Sequence, residues 1–290
     1  MTVDPAIARE AWRLAEPLHS MIFFVPEAQE RYDALGVPAT AGYFASRGGV
    51  FGAVGAGPVI ATFYNFNPRI VTRALPAVWE HTTPAAVLAA RVDAADAALT
   101  RGLGETIKSP ELAEAAVLAR RAAESAIAYA AGRPLFAATA AQPWPDAPHL
   151  VLWHAQGVLR EFRGDGHVAA LLVAGVSGLQ AIILHAASGQ IDGKFLRVSR
   201  GWSRDEWAAE TEVLRSRGLV EGSSAEGEVT LTEQGRALRA GIEADTDRLA
   251  VAAYAILGDH GAARLAELAR PMSRTLVKAG FLTGGLPARK

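Results

Sequence analysis

Three side chains near the middle of the chain have the chemistry of a metal site or of a general acid–base pair. They are His154, Asp165 and His167, and the surrounding pattern predicts two neighbouring helices joined by a tight turn at Gly164. A carboxylate between two imidazoles suits either task. The alternative is that Asp165 caps the second helix and that both histidines make ordinary hydrogen bonds. No two histidines are three or four residues apart, so we predict no helix-borne metal site.

A second candidate site is a group of aromatic and polar residues in the first half of the chain. Tyr64 and Asn65 follow an apolar run and precede the predicted helix cap Asn67, so we expect them to face a cavity. Aromatic rings with a few amides suit a pocket for a small apolar or aromatic molecule, and His19 and Arg47 complete this predicted ligand site. The alternative is a core tyrosine whose hydroxyl is hydrogen bonded.

The sequence identifies neither a cofactor nor a reaction. The glycines at positions 52, 55 and 57 lack the spacing of a dinucleotide-binding loop, and no serine lies in a G-x-S-x-G elbow. The chain has no cysteine, which excludes thiolate nucleophiles and thiolate metal ligands. Whether the protein is an enzyme therefore stays open.

The composition is that of a globular protein with a large core. Of the 290 residues, 50% are hydrophobic and 20% are charged, which excludes a disordered chain. Two stretches, 48–68 and 166–191, contain no Lys, Arg, Asp or Glu. Glycines and polar residues interrupt both, so we interpret them as cores and not as membrane spans. The start of the chain lacks the pattern of a secretion signal, and we expect a cytoplasmic protein outside the membrane.

Helical periodicity dominates the first half of the chain. Capping residues followed by proline predict helices that begin at Asn67, Thr83 and Ser109, the first of them running to about Trp79. A proline-dense segment then predicts a linker. The predicted organisation is a helical domain over 1–141, a linker over 142–148, a second domain over 149–258, and a C-terminal helix and tail over 259–290.

Residues 203–238 follow the order helix, glycine turn, hairpin, helix. Ser203 lies three residues before Glu206, which is the spacing of a capping box. The segments 214–221 and 231–238 resemble the DNA-binding module of MarR-type regulators. This resemblance implies a mainly α fold, in which an N-terminal helical domain is followed by a winged helix-turn-helix domain with a small β-hairpin wing.

The surface of this module that would meet DNA is acidic in sequence. Residues 203–217 carry three arginines and four carboxylates, a formal charge of −1. Residues 218–231 carry only Glu221, Glu226 and Glu228, a formal charge of −3. Since a negative surface opposes phosphate binding, we expect no DNA binding. If the protein is a regulator, we expect its DNA contacts to come from Arg197, Arg200 and Arg204.

The whole chain also resembles an actinobacterial family of MarR-like fold, labelled SalK-like, that has no assigned activity. The segments that carry this resemblance are Phe24–Ala28, Gly42–Phe44, Phe63–Pro68 and Leu159–His167. The resemblance implies a fold and no functional residue.

The sequence thus predicts a small-molecule-binding protein that does not bind DNA, of which an enzyme of specialised metabolism is one form. Two alternatives stay open: a ligand-responsive MarR-type regulator, and a helical scaffold or dimerisation protein without a ligand. We also expect a homodimer by analogy, because the apolar sides of 250–257 and 262–277 would need a partner to cover them.

Overall fold

The computed structural model describes residues 3–222 and 229–282, and this part of the chain is mainly helical. Helices of seven to twenty residues, joined by short turns, make up the first half. Their bounds are α1 (Pro5–Ser20), α2 (Pro26–Ala34), α3 (Ala39–Gly48), α4 (Ala56–Thr62), α5 (Pro68–Ala74), α6 (Pro84–Leu103), α7 (Pro110–Ala126) and α8 (Pro134–Ala140).

Proline marks the start of most of these helices, because its fixed φ suits the first turn. The predicted starts are confirmed: the side chains of Asn67, Thr83 and Ser109 each accept a hydrogen bond from an amide of the first turn. The expected continuation of α5 to Trp79 is wrong. The helix ends at Ala74 because the next residue precedes a proline and is extended.

The second half contains a long helix, a small helical group with a two-stranded sheet, and two further long helices. Their bounds are α9 (Pro148–Val173), α10 (Gly178–Ala187), α11 (Gly193–Ser199), α12 (Arg204–Ser216), β1 (Val220–Gly222), β2 (Val229–Leu231), α13 (Glu233–Tyr254) and α14 (Gly258–Lys278).

Helix α9 is continuous, which corrects the expectation of two helices joined at Gly164. Gly164 and Gly166 both lie inside the helix, and Asp165 between them is no N-cap of a new helix. A glycine in a helix interior costs only about 1 kcal/mol relative to alanine, which packing readily offsets. At Gly166 the reason for glycine is space, since a Cβ would lie 2.8 Å from the Arg133 guanidinium.

Buried side chains form two hydrophobic clusters. The larger contains residues between Val3 and Phe162 together with residues between Ala253 and Phe281, and we call it the large unit. The smaller contains residues between Ala170 and Ile242 and is built mainly on α10–α12 and the sheet; we call it the small unit. Helices α9 and α13 contribute to both. The change of cluster therefore falls within α9, while the domain division at 142–148 stays a prediction.

The small unit contains the features on which the helix-turn-helix interpretation rests. Strand β1 pairs with β2 in antiparallel register, with Val220 opposite Leu231. The capping box of α12 is confirmed, because Ser203 and Glu206 each bond the other's backbone amide. Of the acidic residues predicted for the wing, Glu221 is exposed. The other two, Glu226 and Glu228, lie outside the described residues.

The small unit contacts one segment of the large unit, residues 64–70, at several points. We call this arrangement the clasp. The first residue of α10, Gly178, lies directly against the backbone of Tyr64, so that a Cβ there would stand 1.8 Å from the Tyr64 carbonyl oxygen. The indole of Trp202 donates to the carbonyl oxygen of Asn65 at 2.9 Å. The amide of Asn67 donates to the Arg200 carbonyl oxygen at 2.9 Å.

The C-terminal helix belongs to the core of the large unit. Leu265, Ala269, Met272 and Leu276 of α14 are buried there, and α14 lies along α1. The apolar side of this helix is thus covered within the chain. The expectation of an uncovered apolar face on 262–277 is therefore wrong, and the homodimer stays a prediction.

No described helix is by itself long and apolar enough to cross a membrane. Helices α9 and α10 reach the required length and composition together, but the chain bends by 96° between them.

The close approach between Gly178 and the backbone of Tyr64 predicts that one methyl group added at position 178 destabilises the protein. We expect Gly178→Ala to lower the free energy of unfolding by about 1–3 kcal/mol, because the backbones of α10 and Tyr64 must separate to admit a Cβ. Urea denaturation measures this. The matched control is Gly241→Ala in α13, where nothing lies within 4 Å of the new Cβ and alanine stabilises the helix. Equal stability of the two variants would contradict the close approach.

Candidate functional site

A cavity of about 320 Å³ lies where the two units meet, and we call it the interunit cavity. Its wall combines aromatic rings with an unusual number of charged side chains. Both units contribute residues, as do α9 and α13. The lining residues are Trp12, Tyr43, Arg47, Thr62, Phe63, Tyr64, Asn65, Phe66, Leu135, Arg160, Glu161, Arg163, Gly164, Asp165, His167, Val168, His185, Arg200, Glu243 and Thr246.

A buried ion pair joins α3 to α9 in the wall of this cavity. Arg47 Nη2 lies 2.7 Å from both carboxylate oxygens of Glu161, and Arg47 Nη1 donates to the Tyr43 hydroxyl at 2.6 Å. The guanidinium also lies over the ring of Phe63, 4.4 Å from its centroid. Burial lowers the pKa of Arg47, but Glu161 and Tyr43 raise it more, so the net pKa lies above its ordinary value. Arg47 is therefore a fixed cation.

The two arginines of α9 that line the cavity are also paired with carboxylates. Arg160 forms an ion pair with Glu16 of α1. Arg163 lies 2.7 Å from an oxygen of Asp247 and 3.4 Å from Glu243, both on α13. These pairs hold α1 and α13 against the middle of α9.

Arg200 differs from the other arginines of the cavity in having no carboxylate partner among the described residues. It lies at the end of α11, and within residues 3–222 and 229–282 no carboxylate is within 4 Å of its guanidinium. Its Nη1 donates to Ser199 Oγ at 2.9 Å, and its buried Nε has no described partner. The guanidinium lies over the Phe66 ring, 5.0 Å from the centroid. Burial lowers the pKa of Arg200, Tyr43 raises it, and Arg47 and Arg160 lower it, so that the net pKa lies below its ordinary value.

The structure separates the three arginines proposed as DNA contacts. Arg200 faces the cavity with its guanidinium stacked on Phe66, and its contact with DNA stays a prediction. Arg197 donates to the carbonyl oxygen of Trp202 at 3.3 Å. Arg204, at the start of α12, is exposed.

An aromatic group supplies the apolar part of the cavity wall. Tyr43, Phe63 and Phe66 lie with ring centroids 5.2–6.2 Å apart, and Phe44 supports them from behind. Tyr64 lines the cavity while its hydroxyl donates to the Val176 carbonyl oxygen at 2.9 Å, so both interpretations of this residue hold together.

Asp165 lines the cavity from the interior of α9 and caps a different helix. Its Oδ2 accepts the amide of Phe136 at 2.9 Å, in the first turn of α8. Burial raises the pKa of Asp165 to about 6, against the lowering effect of the Phe136 amide.

His167 also lines the cavity, and its hydrogen bond fixes its tautomer. Its Nδ1 lies 2.9 Å from Thr246 Oγ1, which itself donates to the Ile242 carbonyl oxygen. The threonine proton is thus used, so His167 Nδ1 donates and Nε2 carries a lone pair. Burial lowers the pKa of His167, which keeps the ring neutral.

The remaining two predicted histidines lie outside the cavity wall. His154 packs against Trp144, with ring centroids 4.7 Å apart. It is thirteen residues from His167 on one straight helix, about 20 Å along the axis. The predicted convergence of His154, Asp165 and His167 is therefore wrong. Within the two described ranges, no group of three His, Cys, Asp or Glu side chains is arranged to hold a metal ion.

His19 belongs to a separate buried cluster. Its Nδ1 donates to the Trp153 carbonyl oxygen at 3.0 Å, which leaves Nε2 to accept from Arg91 Nη2 at 3.1 Å. Burial, and then the Arg91 cation, hold the pKa of His19 well below its usual range. Arg91 also donates to the Ser46 carbonyl oxygen at 3.1 Å. His19 thus lies outside the wall of the interunit cavity.

Sequence reasoning missed the charged centre of the site, although a signal was present. Arg160, Glu161, Arg163 and Asp165 are the only charged Lys, Arg, Asp or Glu residues of α9, and they fall in six consecutive positions. A short charged group in the middle of a long apolar helix indicates a buried polar site. The assumed break at Gly164 concealed this pattern.

Because Arg47 and Glu161 form a buried ion pair, we expect the loss of one charge to destabilise the protein more than the loss of both. We expect Glu161→Gln to lower the free energy of unfolding by about 3–5 kcal/mol, because a buried guanidinium then lacks its counter-charge. Arg47→Met combined with Glu161→Gln is expected to recover part of this loss. Urea denaturation is the measurement, and Glu212→Gln on the exposed side of α12 is the control. A loss below about 1 kcal/mol in Glu161→Gln would contradict the role given to the pair.

Asp165 predicts a pH dependence of stability. Its pKa is about 6 in the folded protein and near 4 when unfolded, so between these values the folded state binds more protons. The free energy of unfolding contributed by Asp165 therefore falls as pH rises from about 4 to 6. Asp165→Asn, which keeps an acceptor for the Phe136 amide, is expected to remove this contribution. Urea denaturation across this range would show curves that converge or cross, whereas parallel curves would refute the raised pKa.

Comparison with known proteins places the chain in a family. No curated protein and no solved structure matches it. Residues 8–283, which are most of the chain, match a helix-turn-helix family. The match agrees with the mainly helical fold and the small two-stranded sheet. The chain belongs to this helix-turn-helix family.

Proposed function

We propose that this protein binds a small apolar or aromatic molecule in the interunit cavity and uses its helix-turn-helix unit to close that cavity and not to read DNA. The observation that carries the proposal is the shared wall: the segment 64–70 lines the cavity on one side and is held by the small unit on the other. Walls contributed by two packed units are a common setting for ligand pockets.

The start of α12 supports the second half of the proposal. In a helix-turn-helix protein the N-terminal residues of the reading helix contact base edges. Here Arg69 Nη2 lies 2.7 Å from both carboxylate oxygens of Glu206 in the first turn of α12, and Asn67 donates to the same carboxylate at 3.3 Å. Ile70 fills the space beside Gly201 in the preceding turn. The large unit thus covers part of the surface at the start of α12 that DNA would contact.

The charge of α12 and of β1 also disfavours DNA binding. Residues 203–217 have a formal charge of −1, and Glu221 of β1 is exposed. Phosphate contacts by arginine and lysine dominate DNA affinity, and this surface offers few of them.

A ligand-responsive regulator is the second candidate, favoured by the family and by exposed Arg204 at the start of α12. In that case a ligand would release the clasp and free the helix. Fluorescence anisotropy on genomic fragments at low salt separates the two functions. We expect no sequence-selective binding, with or without an aromatic ligand. Selective binding that Arg204→Glu abolishes would instead establish the regulator.

Cavity filling tests the ligand site directly. We expect Val168→Phe to abolish the binding of naphthalene-sized aromatic molecules, because Val168 lines the cavity and the larger ring takes up its space. The control is Val173→Phe, the same change at an exposed position at the end of the same helix. Isothermal titration calorimetry with 2-naphthol, 2-naphthoate and 2-naphthamide measures binding. No binding of any of the three, or equal binding by both variants, would overturn the proposed function.

A further inference from the structure

Among the arginines of the interunit cavity, one lacks a carboxylate partner within the described residues. Arg47, Arg160 and Arg163 each have a carboxylate partner, as described above. Arg200 has none among the residues that the structure describes, although it lies in the same wall. A guanidinium removed from water is costly unless an anion or several acceptors replace the lost hydration. One hydroxyl, that of Ser199, replaces little of it.

The charges around Arg200 add to its lack of an anionic partner. Among the groups that act on its pKa, Tyr43 raises it, whereas the cations Arg47 and Arg160 lower it. Both of these are already satisfied by Glu161 and Glu16. With those two pairs neutralised, Arg200 is the unbalanced charge of this part of the wall, and an anion placed beside it would interact favourably with its guanidinium.

The rest of the wall limits what kind of anion fits. Phe66 lies under the Arg200 guanidinium, and Tyr43 and Phe63 continue the apolar surface from it. A cavity of about 320 Å³ accepts a molecule of one or two rings. A single unpaired guanidinium next to an aromatic wall suits one carboxylate on a ring system better than a phosphate, which carries more charge and no apolar surface.

An outer groove adjoins the interunit cavity. It shares Trp12, His185 and Glu243 with the cavity wall and has a volume of about 660 Å³. Two carboxylates, Glu243 and Asp247, line it and pair with Arg9. Arg236 and Arg239 also line it, and in the described part of the chain neither forms an ion pair with a carboxylate. Arginines at a cavity mouth attract an anionic ligand from solution.

We propose that the ligand is an aromatic carboxylate whose carboxylate group pairs with Arg200 while its ring lies on Phe66, Tyr43 and Phe63. This inference rests on the proposed function and adds the charge of the ligand to it. Arg200 is then the residue that selects acids over neutral molecules of the same shape.

A matched pair of probes tests the inference without any variant. Isothermal titration calorimetry compares 2-naphthoate with 2-naphthamide, which has the same ring system and no charge. We expect the wild-type protein to bind the acid about tenfold more tightly or better, as a charge-assisted hydrogen bond predicts. Equal affinity for the two probes would overturn the inference and leave the proposed function standing. No binding of either probe would overturn both.

Variants then assign the preference to a residue. We expect Arg200→Gln to weaken the binding of 2-naphthoate by about tenfold or more and to change that of 2-naphthamide by less than about twofold. Lys194→Gln, at an exposed position on the same helix, removes an equal charge and is expected to change neither. An acid preference that persists in Arg200→Gln, or that is lost equally in Lys194→Gln, would overturn the role of Arg200.

Discussion

Arg47 and Glu161 form a buried ion pair that joins α3 to the middle of α9, and the cavity wall is arranged around it. Such a pair is costly to bury, and it is tolerated only where its geometry is good and its remaining hydrogen bonds are made. Here both carboxylate oxygens, the Tyr43 hydroxyl and the Phe63 ring contact the guanidinium. The pair fixes where Tyr43 stands, and Tyr43 in turn sets one wall of the cavity.

The segment 64–70 connects this polar centre to the small unit. One side of it lines the cavity with Tyr64, Asn65 and Phe66, and the other side is bonded to Trp202 and Glu206. A ligand in the cavity and the turn before α12 therefore contact the same short stretch of chain. This arrangement packs the small unit against the large unit within one chain.

Local signals were sufficient to predict much of the fold. Proline and capping residues located the helix starts, and the capping box at Ser203 located α12, because these effects depend on a few neighbouring residues. The continuity of α9 was not predictable in this way. Gly164 and Gly166 have the composition of a turn, and only the packing of α1, α8 and α13 against the helix keeps them helical.

The candidate site was also only partly predictable, because local signals indicate some of its residues and long-range contacts place the others. Tyr64 and Asn65 were expected at a cavity from their position before a cap, and Arg47 was grouped with them; all three line it. The sequence groups Arg200 with Arg197 and Arg204 on one DNA-facing edge, whereas its guanidinium contacts Phe66, more than a hundred residues away in the chain. Long-range ion pairs and stacking decide such positions, and a single sequence does not encode them locally.

The most direct test of the account is a crystal structure of the protein with 2-naphthoate bound. The account predicts the naphthalene ring against Phe66, Tyr43 and Phe63, with its carboxylate within hydrogen-bonding distance of the Arg200 guanidinium and the clasp on residues 64–70 intact. A ligand bound elsewhere with the interunit cavity unchanged, or a ligand in the cavity with its carboxylate turned away from Arg200, would contradict it.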